Sequence, residues 1–399
     1  MHPYAHVVDY SYIDSQDEFE SWCAQYKDSD GKAHILAIDT EFVRTQTLTP
    51  LLGLIQVFDG KQLVLIDPIA VADLAMFAEL LVDPNVIKVA HSCSEDLEAL
   101  WHHLGVIPTP VFDTQFAAGL LDLGVSVGYA NLVEQLFSIS LDKGESRTDW
   151  MQRPLSQAQL TYAAADVTHL MALFEHLFAL TEQRGITSWV YQEIDQLGLK
   201  KSTPVPANTA YLMLKNIWKL SSRSLAAFKE LARWRLEEAR AKNKSVNFVI
   251  KEDAMYELAV KLPDNNHKLF ECKQLYSKPA RLYGETIISI CTQAKNLDPA
   301  QCPPRVQRLI EFSGYKSAMI AAKKMVDEVA QQHNIPVATL ASKKQINQLL
   351  KWFWFTFDEL EAQGLKPDLL SSWRYDLLDS RIAELLPKLA NHHEIVRSI

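Results

Sequence analysis

Asp39 and Glu41 stand two apart at the end of the stretch His34-Ile-Leu-Ala-Ile-Asp-Thr-Glu-Phe42. Positions two apart in an extended segment share a face, so Ile35 to Ile38 reads as a buried strand that ends by presenting both carboxylates on one side. A short apolar strand ending in paired acids is a common way to build a divalent-metal site in an α/β protein, because hard cations take oxygen ligands. The spacing alone fits a strand end with merely solvated acids equally well. Two further acids stand out by their surroundings. Asp96 lies about one turn into the helical pattern that follows His91. Asp166 lies in Gln159-Leu-Thr-Tyr-Ala-Ala-Ala-Asp-Val-Thr-His169, with Tyr162 four residues earlier and so on the same helix face. Ala163, Ala164 and Ala165 remove bulk and let that helix approach a sheet closely. An acid on such a helix has to be paired or liganded. Each also has a plainer reading: Asp96 as a first-turn acid favoured by the helix dipole, Asp166 as the partner of an arginine.

The elements around these acids follow from local pattern. A first helix precedes the strand, with Asp14 or Ser15 as cap and Phe19, Trp22 and Tyr26 at helical spacing. Leu52 to Phe58 and Gln62 to Ile66 read as strands joined through Asp59-Gly60, a strong hairpin signal, so the first three strands form an antiparallel meander. Asp73 to Leu81 reads as an amphipathic helix closed by Asp83-Pro84. Ile87 to Ala90 is a short buried strand. A helix then runs from Ser92 or Ser94 through Leu104 to a stop at Gly105. Val111-Phe112 leads into Asp113, a cap for a helix through Leu123, and the pattern stays helical to about residue 182. Three strands followed by strand–helix alternation indicate a mixed sheet flanked by helices. Residues 196–208, with Gly198, Pro204 and Pro206, read as a linker. Beyond them strand signals vanish, and short helices joined by Pro, Gly and Asn breaks fill the chain.

The 399 residues predict two or three domains. The five cysteines, Cys23, Cys93, Cys272, Cys291 and Cys302, are scattered and lack a C-x-x-C pairing, which argues for reduced thiols in a cytosolic compartment and against a zinc site. Met1-His-Pro-Tyr-Ala-His6 lacks an apolar core and is not read as a signal peptide. No run of about 18 uncharged apolar residues indicates a membrane span. The net charge of −9 argues weakly against nucleic acid, but it hides an asymmetry. Residues 201–251 carry eleven Lys and Arg against three Glu, a local +8 that leaves −17 elsewhere. A basic module appended to an acidic body suggests capture of a phosphate backbone, with Arg223, Lys229, Arg233, Arg240, Lys242 and Lys244 as candidates. Solvated helix faces are the alternative, and Trp218 and Trp234 within the segment fit core positions better than base stacking.

Asp39-x-Glu41, Asp96 and Tyr162-x-x-x-Asp166 together resemble the DEDD superfamily of 3′→5′ exonucleases, in the subclass with tyrosine. The histidine subclass carries its residue five before the last aspartate, which here is Thr161. Glu145-Ser-Arg-Thr-Asp-Trp-Met-Gln-Arg-Pro-Leu155, followed by Gln159-Leu-x-Tyr-Ala-Ala-x-Asp-Val167, is similar to the ribonuclease D family over about residues 10–200. Leu231-Ala-Arg-Trp-Arg-Leu-Glu-Glu-Ala-Arg-Ala-Lys-Asn243 resembles the HRDC domain of that family and of RecQ-type helicases. Residues 295–380, with Ala341-Ser-Lys-Lys-Gln-Ile-Asn-Gln-Leu-Leu350, look like a diverged second copy.

The resemblance implies an RNase H-like α/β exonuclease domain over residues 1–195, the linker at 196–208, HRDC-like all-α domains at 209–290 and 295–380, and a helical tail at 381–399. It implies two divalent ions, Mg²⁺ or Mn²⁺. Asp39 would bridge them, Glu41 and Asp166 would complete the ion that activates water, and Asp96 would hold the other. Tyr162, with a reference pKa near 10, is a poor base at neutral pH and would position the attacking water. His91, His169, Trp150 and Arg153 stay outside the catalytic set, with Arg153 read mainly as a brace for the catalytic helix. The implied partner is RNA with a free 3′ end, such as tRNA precursors and small structured RNAs, cut to 5′-mononucleotides by a cytoplasmic monomer. A DNA exonuclease of the same superfamily and an inactive nucleic-acid-binding adaptor are the alternatives.

Overall fold

The computed structural model describes residues 9–26, 34–141, 148–397 and 399. Residues 145–147, which open the motif quoted above, and Met1 to His6 lie outside them. The first part of the chain runs β1 (Tyr10–Ile13), α1 (Gln16–Ala24), β2 (His34–Val43), β3 (Leu51–Phe58), β4 (Leu63–Ile66), α2 (Ala75–Val82), β5 (Val86–Ala90), α3 (Ser94–Leu104), β6 (Val111–Asp113) and α4 (Thr114–Leu120). Helices α5 (Tyr129–Phe137), α6 (Gln157–Thr168), α7 (Leu170–Arg184) and α8 (Thr187–Ser202) complete it. A first helical module holds α9 (Ser222–Ala241), α10 (Val246–Val249), α11 (Glu252–Lys261), α12 (Asn266–Phe270) and α13 (Ser277–Asn296). A second holds α14 (Tyr315–His333), α15 (Val337–Leu340), α16 (Lys343–Trp354) and α17 (Ser372–Ala390).

The strands form one sheet in the order β1-β4-β3-β2-β5-β6. β2, β3 and β4 pair antiparallel, while β5, β6 and β1 join in parallel. The hairpin between β3 and β4 is built as its residues dictate: Asp59 accepts from the amides of Lys61 (2.8 Å) and Gln62 (2.7 Å), and Gly60 takes a φ of +89°. Strand alternation sorts the sheet's side chains onto two faces. Leu36, Ile38, Ile55, Val57 and Val64 pack with Phe19, Trp22, Phe77 and Leu81 on one side. Ala37, Leu54, Phe58, Leu65 and Val89 pack under α6 and α7 on the other. The stretch Gln157–Arg184 is long and apolar enough to cross a membrane by composition, but 61% of its apolar window is buried, which makes it a core helix pair.

Four sequence expectations are corrected. No strand is expected before the first helix, yet β1 lies there, a short edge strand recognisable only from its pairing with β4. The segment 196–208 is not a linker throughout, because α8 continues to Ser202. Gly198 sits there for close contact, since a Cβ at that position would lie 2.5 Å from the Ile107 side chain. The boundaries at 290 and 380 fall inside the unbroken helices α13 and α17, whose apolar faces stay buried past those points at Cys291, Ala294, Ile382, Leu385 and Leu389. The C-terminal helices are also not all short: α9 and α13 have 20 residues each, α14 and α17 have 19.

Candidate active site

β2 delivers Asp39 and Glu41 on the face covered by α6, with Gln56 and Leu54 of β3 directly opposite them. The register shifts just after Glu41, where Gly53 is the extra residue of a bulge. A Cβ on Gly53 would lie 2.6 Å from the Trp150 carbonyl, so only glycine lets the loop before α6 lie on the strand. Arg153 ties that loop down: its guanidinium pairs with both oxygens of Asp67 at 2.6 and 2.7 Å, and donates to the Gly53 carbonyl at 2.6 Å. It is therefore a brace. Ser156 and Gln159 then cap α6 reciprocally. Ala163 and Ala164, both fully buried, let α6 settle against the sheet and carry Asp166 to the strand end.

One carboxylate oxygen each from Asp39, Glu41 and Asp166 lie within 4.8 Å of one another, the only such group of potential ligands among the described residues. Asp96 is not part of that tight trio. It reaches the strand end from α3, where the Thr40 hydroxyl donates to its Oδ1 at 2.5 Å. The four acids are nevertheless one electrostatic unit. Burial, then the charges of Asp96, Asp166 and Glu41, push the Asp39 carboxyl well above its usual range. Burial, followed by the charges of Asp166 and Asp96, pushes Glu41 up to about 9. Burial raises Asp166 to about 7 against the opposing hydrogen bond from Tyr162. Asp96 rises to about 6, burial again outweighing the Thr40 hydrogen bond. Tyr162 is driven above its ordinary value by burial and by the charges of Asp166 and Glu41, so its hydroxyl stays protonated.

Carboxylates this close cannot all ionise without a cation. Their all-oxygen donor set suits a hard divalent cation rather than a softer metal. Gln56 adds a second mark of the site. It is fully buried directly across from Asp39, and neither amide atom has a hydrogen-bond partner. A buried amide with no partner marks a place where a further polar group belongs. The residues present therefore fit a divalent cation. Gln56 and Thr40 were missed from sequence, although a lone glutamine in the apolar run Leu51–Phe58 was a readable signal.

The proposed RNA-contacting cations are largely engaged elsewhere. Arg223 donates to the carbonyls of Ala294, Lys295 and Leu297 and so closes the end of α13. Arg240 donates to the Val205 carbonyl at 2.6 Å. Arg233 pairs with Glu230 at 2.7 Å, and Lys242 pairs with Glu238. Lys229 lies 5.9 Å from the Tyr211 ring centroid, and Lys244 is half-buried. Trp234 packs against Tyr283, whereas Trp218 stacks under Arg308 at 3.9 Å. A cleft of about 520 Å³ separates the catalytic domain from α9, lined by Arg44, Glu98, His102, Lys201 and Arg240 among others.

A sheet that delivers two acids from its central strand to a third on a covering helix, beside a tyrosine one turn earlier, defines a 3′→5′ exonuclease domain. The 3′-5′ exonuclease family profile matches residues 10–182, the HRDC profile residues 224–291, and the profile described as the ribonuclease D C-terminal HRDC domain residues 313–382. The chain belongs to the ribonuclease D family. It is 40% identical over 376 residues to ribonuclease D of Shewanella sp. (strain ANA-3), covering 94% of each chain. It is 36% identical over 379 residues to ribonuclease D of Escherichia coli (strain K12), covering 95% of this chain and 99% of that one. The crystal structure of Escherichia coli RNase D, described as an exoribonuclease involved in structured RNA processing, superposes with a TM-score of 0.88 at 36% identity, over 96% of this chain and 99% of that one. The expected fold, an α/β exonuclease domain followed by two helical HRDC domains, is the one observed.

Proposed function

We propose that the chain removes nucleotides one at a time from the 3′ end of RNA, releasing 5′-mononucleotides, with two divalent cations held by Asp39, Glu41, Asp96 and Asp166. When bound, such ions activate water and stabilise the leaving oxygen. The chain's own residues do the rest. Asp39 is the member of the trio that feels the charges of Asp96, Asp166 and Glu41 together, so it is the residue that would be shared between the ions. Tyr162, protonated and hydrogen-bonded to Asp166, orients the attacking water rather than deprotonating it. Glu41 accepts from the terminal sugar hydroxyl, which gives a requirement for a free 3′ end. The convergence of Asp39, Glu41 and Asp166 within 4.8 Å carries this reading.

RNA as substrate, and structured RNA in particular, is supported by the kinship to an enzyme described as an exoribonuclease involved in structured RNA processing, and tRNA precursors would be one such substrate. The strand 5′ of the cut would run along the cleft towards Lys229 and Lys244. Any phosphate contact by Arg44, Lys201, Arg233, Arg240 or Lys242 would have to compete with the Glu98, Glu230, Val205 and Glu238 partners those cations already have. Reduced cysteines support a cytoplasmic setting, and the protein would act as a monomer. The test is a digest of 3′-extended RNA and a matched DNA oligomer with Mg²⁺, Mn²⁺ or EDTA, with products resolved by length. A ladder of single-nucleotide steps from RNA, abolished by EDTA and by Asp39→Asn with RNA binding retained, is expected. Turnover by Asp39→Asn at the wild-type rate would exclude the mechanism, and equal cutting of DNA would exclude the RNA assignment.

A further inference from the structure

We propose that Tyr129 is a positioning residue for Asp166, acting through a hydroxyl inserted into the backbone ladder of the helix that carries it. The proposal rests on the metal-site reading above. α6 and α7 form one helical stretch, Gln157–Arg184, interrupted at His169. In an unbroken helix the His169 amide would donate to the carbonyl of Ala165, four residues back. Here the His169 amide, which also turns towards the Val167 carbonyl, donates to the Tyr129 hydroxyl at 3.2 Å, and that hydroxyl donates to the Ala165 carbonyl, also at 3.2 Å. One rung of the ladder has been replaced by two, joined through an oxygen from another helix. A group inserted in this way is a known cause of helix kinks. The peptide it holds is the one that links Ala165 to Asp166.

The kink has a use. Before it, Tyr162 and Asp166 must face the strand end. After it, Leu170, Leu173, Phe174 and Leu177 must face the core. Breaking the ladder between them lets the two halves aim independently, and a fixed wedge then sets the angle. Tyr129 is fixed. Its ring meets His91 edge-on at 5.6 Å, and the His91 nitrogens contact Thr114 Oγ1 (2.9 Å) and the Val127 carbonyl (3.1 Å). The hydroxyl also lies in electrostatic reach of Asp166 and Asp39, whose charges join burial in keeping it protonated. Thr168 provides an internal comparison. Its hydroxyl bonds back to the Ala164 carbonyl at 2.7 Å, another local loosening of the same turn that does not touch the Ala165 peptide.

The test compares Tyr129→Phe, which removes one oxygen, with Thr168→Val. Mn²⁺ binding to the full chain is measured by calorimetry, together with Tm in EDTA and kcat and KM on RNA. Tyr129→Phe is expected to weaken Mn²⁺ binding about tenfold, the lower end for groups that orient metal ligands. Its kcat should fall with KM unchanged, while Thr168→Val keeps wild-type Mn²⁺ affinity. Wild-type affinity in Tyr129→Phe overturns the proposal. So does a loss in both variants that simply tracks Tm, or failure of Tyr129→Phe to fold, since the hydroxyl would then hold the domain rather than aim one carboxylate. If the wild-type chain itself binds no Mn²⁺, the metal-site reading has failed, and the proposal falls with it.

Discussion

The two helical modules are attached to the catalytic domain in opposite ways. The second shares its core: buried residues run without a break from Leu54 and Phe112 of the sheet, through Leu177 and Val190, to Leu349, Trp373 and Leu385. The first keeps a core of its own around Leu225, Phe228, Leu231, Met255 and Ile287, to which the catalytic domain contributes Leu48 at the edge. The polar contacts repeat the contrast. Towards the second module Arg374 pairs with Glu193, Trp373 donates to Glu193 at 2.9 Å and stacks on Trp189 at 5.3 Å, and Thr339 donates to the Gly119 carbonyl at 3.0 Å. Towards the first, the contacts are exposed ones: Asn243 accepts from Thr49, and the Ser245 amide donates to the Gln46 carbonyl at 2.8 Å. Related helical modules thus serve one enzyme differently, the second as part of the catalytic body, the first as a separately built wall of the cleft.

The sharpest way to break this contrast is a matched pair of core truncations. Trp373→Ala empties a fully buried site at the shared core and removes a hydrogen bond from Glu193. It is expected to cost about 3–5 kcal/mol and to lower amide protection throughout the catalytic domain. Phe228→Ala, equally buried, should cost a similar amount but only within α9 to α13, leaving the sheet's protection at the wild-type level. Hydrogen exchange read by mass spectrometry separates the two. Loss of sheet protection in Phe228→Ala would show that the first module is not independent.

A smaller effect follows from the acids, and it should load the catalytic body alone. Glu41, Asp166 and Asp96 have folded-state pKa values of about 9, 7 and 6, above the usual carboxylate values near 4 that the unfolded chain keeps. Between about pH 4 and 9 the folded state therefore binds more protons than the unfolded one, so metal-free stability falls as pH rises through that window. Cations reverse the sign, because they bind the ionised form. The Tm of the EDTA-treated protein should drop from pH 5 to 9, and added Mn²⁺ should restore more of it at pH 9 than at pH 5. A metal-free Tm that climbs with pH over this range would contradict the crowding of these carboxyls.

How much of this could be read beforehand depended on how local the cause was. Asp39 and Glu41 share a face because a strand has period two, Asp59-Gly60 turns a hairpin within four residues, and Asp113 caps the helix that begins next to it; each was legible. Gly198 was misread because the residue that requires it, Ile107, is far away in sequence. Arg223 looked like a cation for RNA, yet the carbonyls that occupy it come from residues 294 to 297. The shared core was invisible for the same reason. A buried Leu or Trp on an amphipathic helix announces that it has a partner, not which partner.

The smallest expected effect tests the weaker attachment directly. Asn243 Oδ1 accepts from both the amide (3.1 Å) and the hydroxyl (3.0 Å) of Thr49, at the mouth of the cleft between the catalytic domain and α9. Exposed hydrogen bonds contribute about 1 kcal/mol or less, so Asn243→Ala should leave the Tm of both cores unchanged. It should still loosen the first module against Gln46 to Thr49 and widen the cleft. KM for a long 3′-extended RNA should then rise by about fivefold, as loss of about 1 kcal/mol would give, while kcat on a dinucleotide stays at the wild-type value. A substrate too short to reach the first module cannot sense its position. If the dinucleotide rate fell as far as the long-RNA efficiency, the first module would be bracing the carboxylates themselves, and the contrast between the two attachments would not hold.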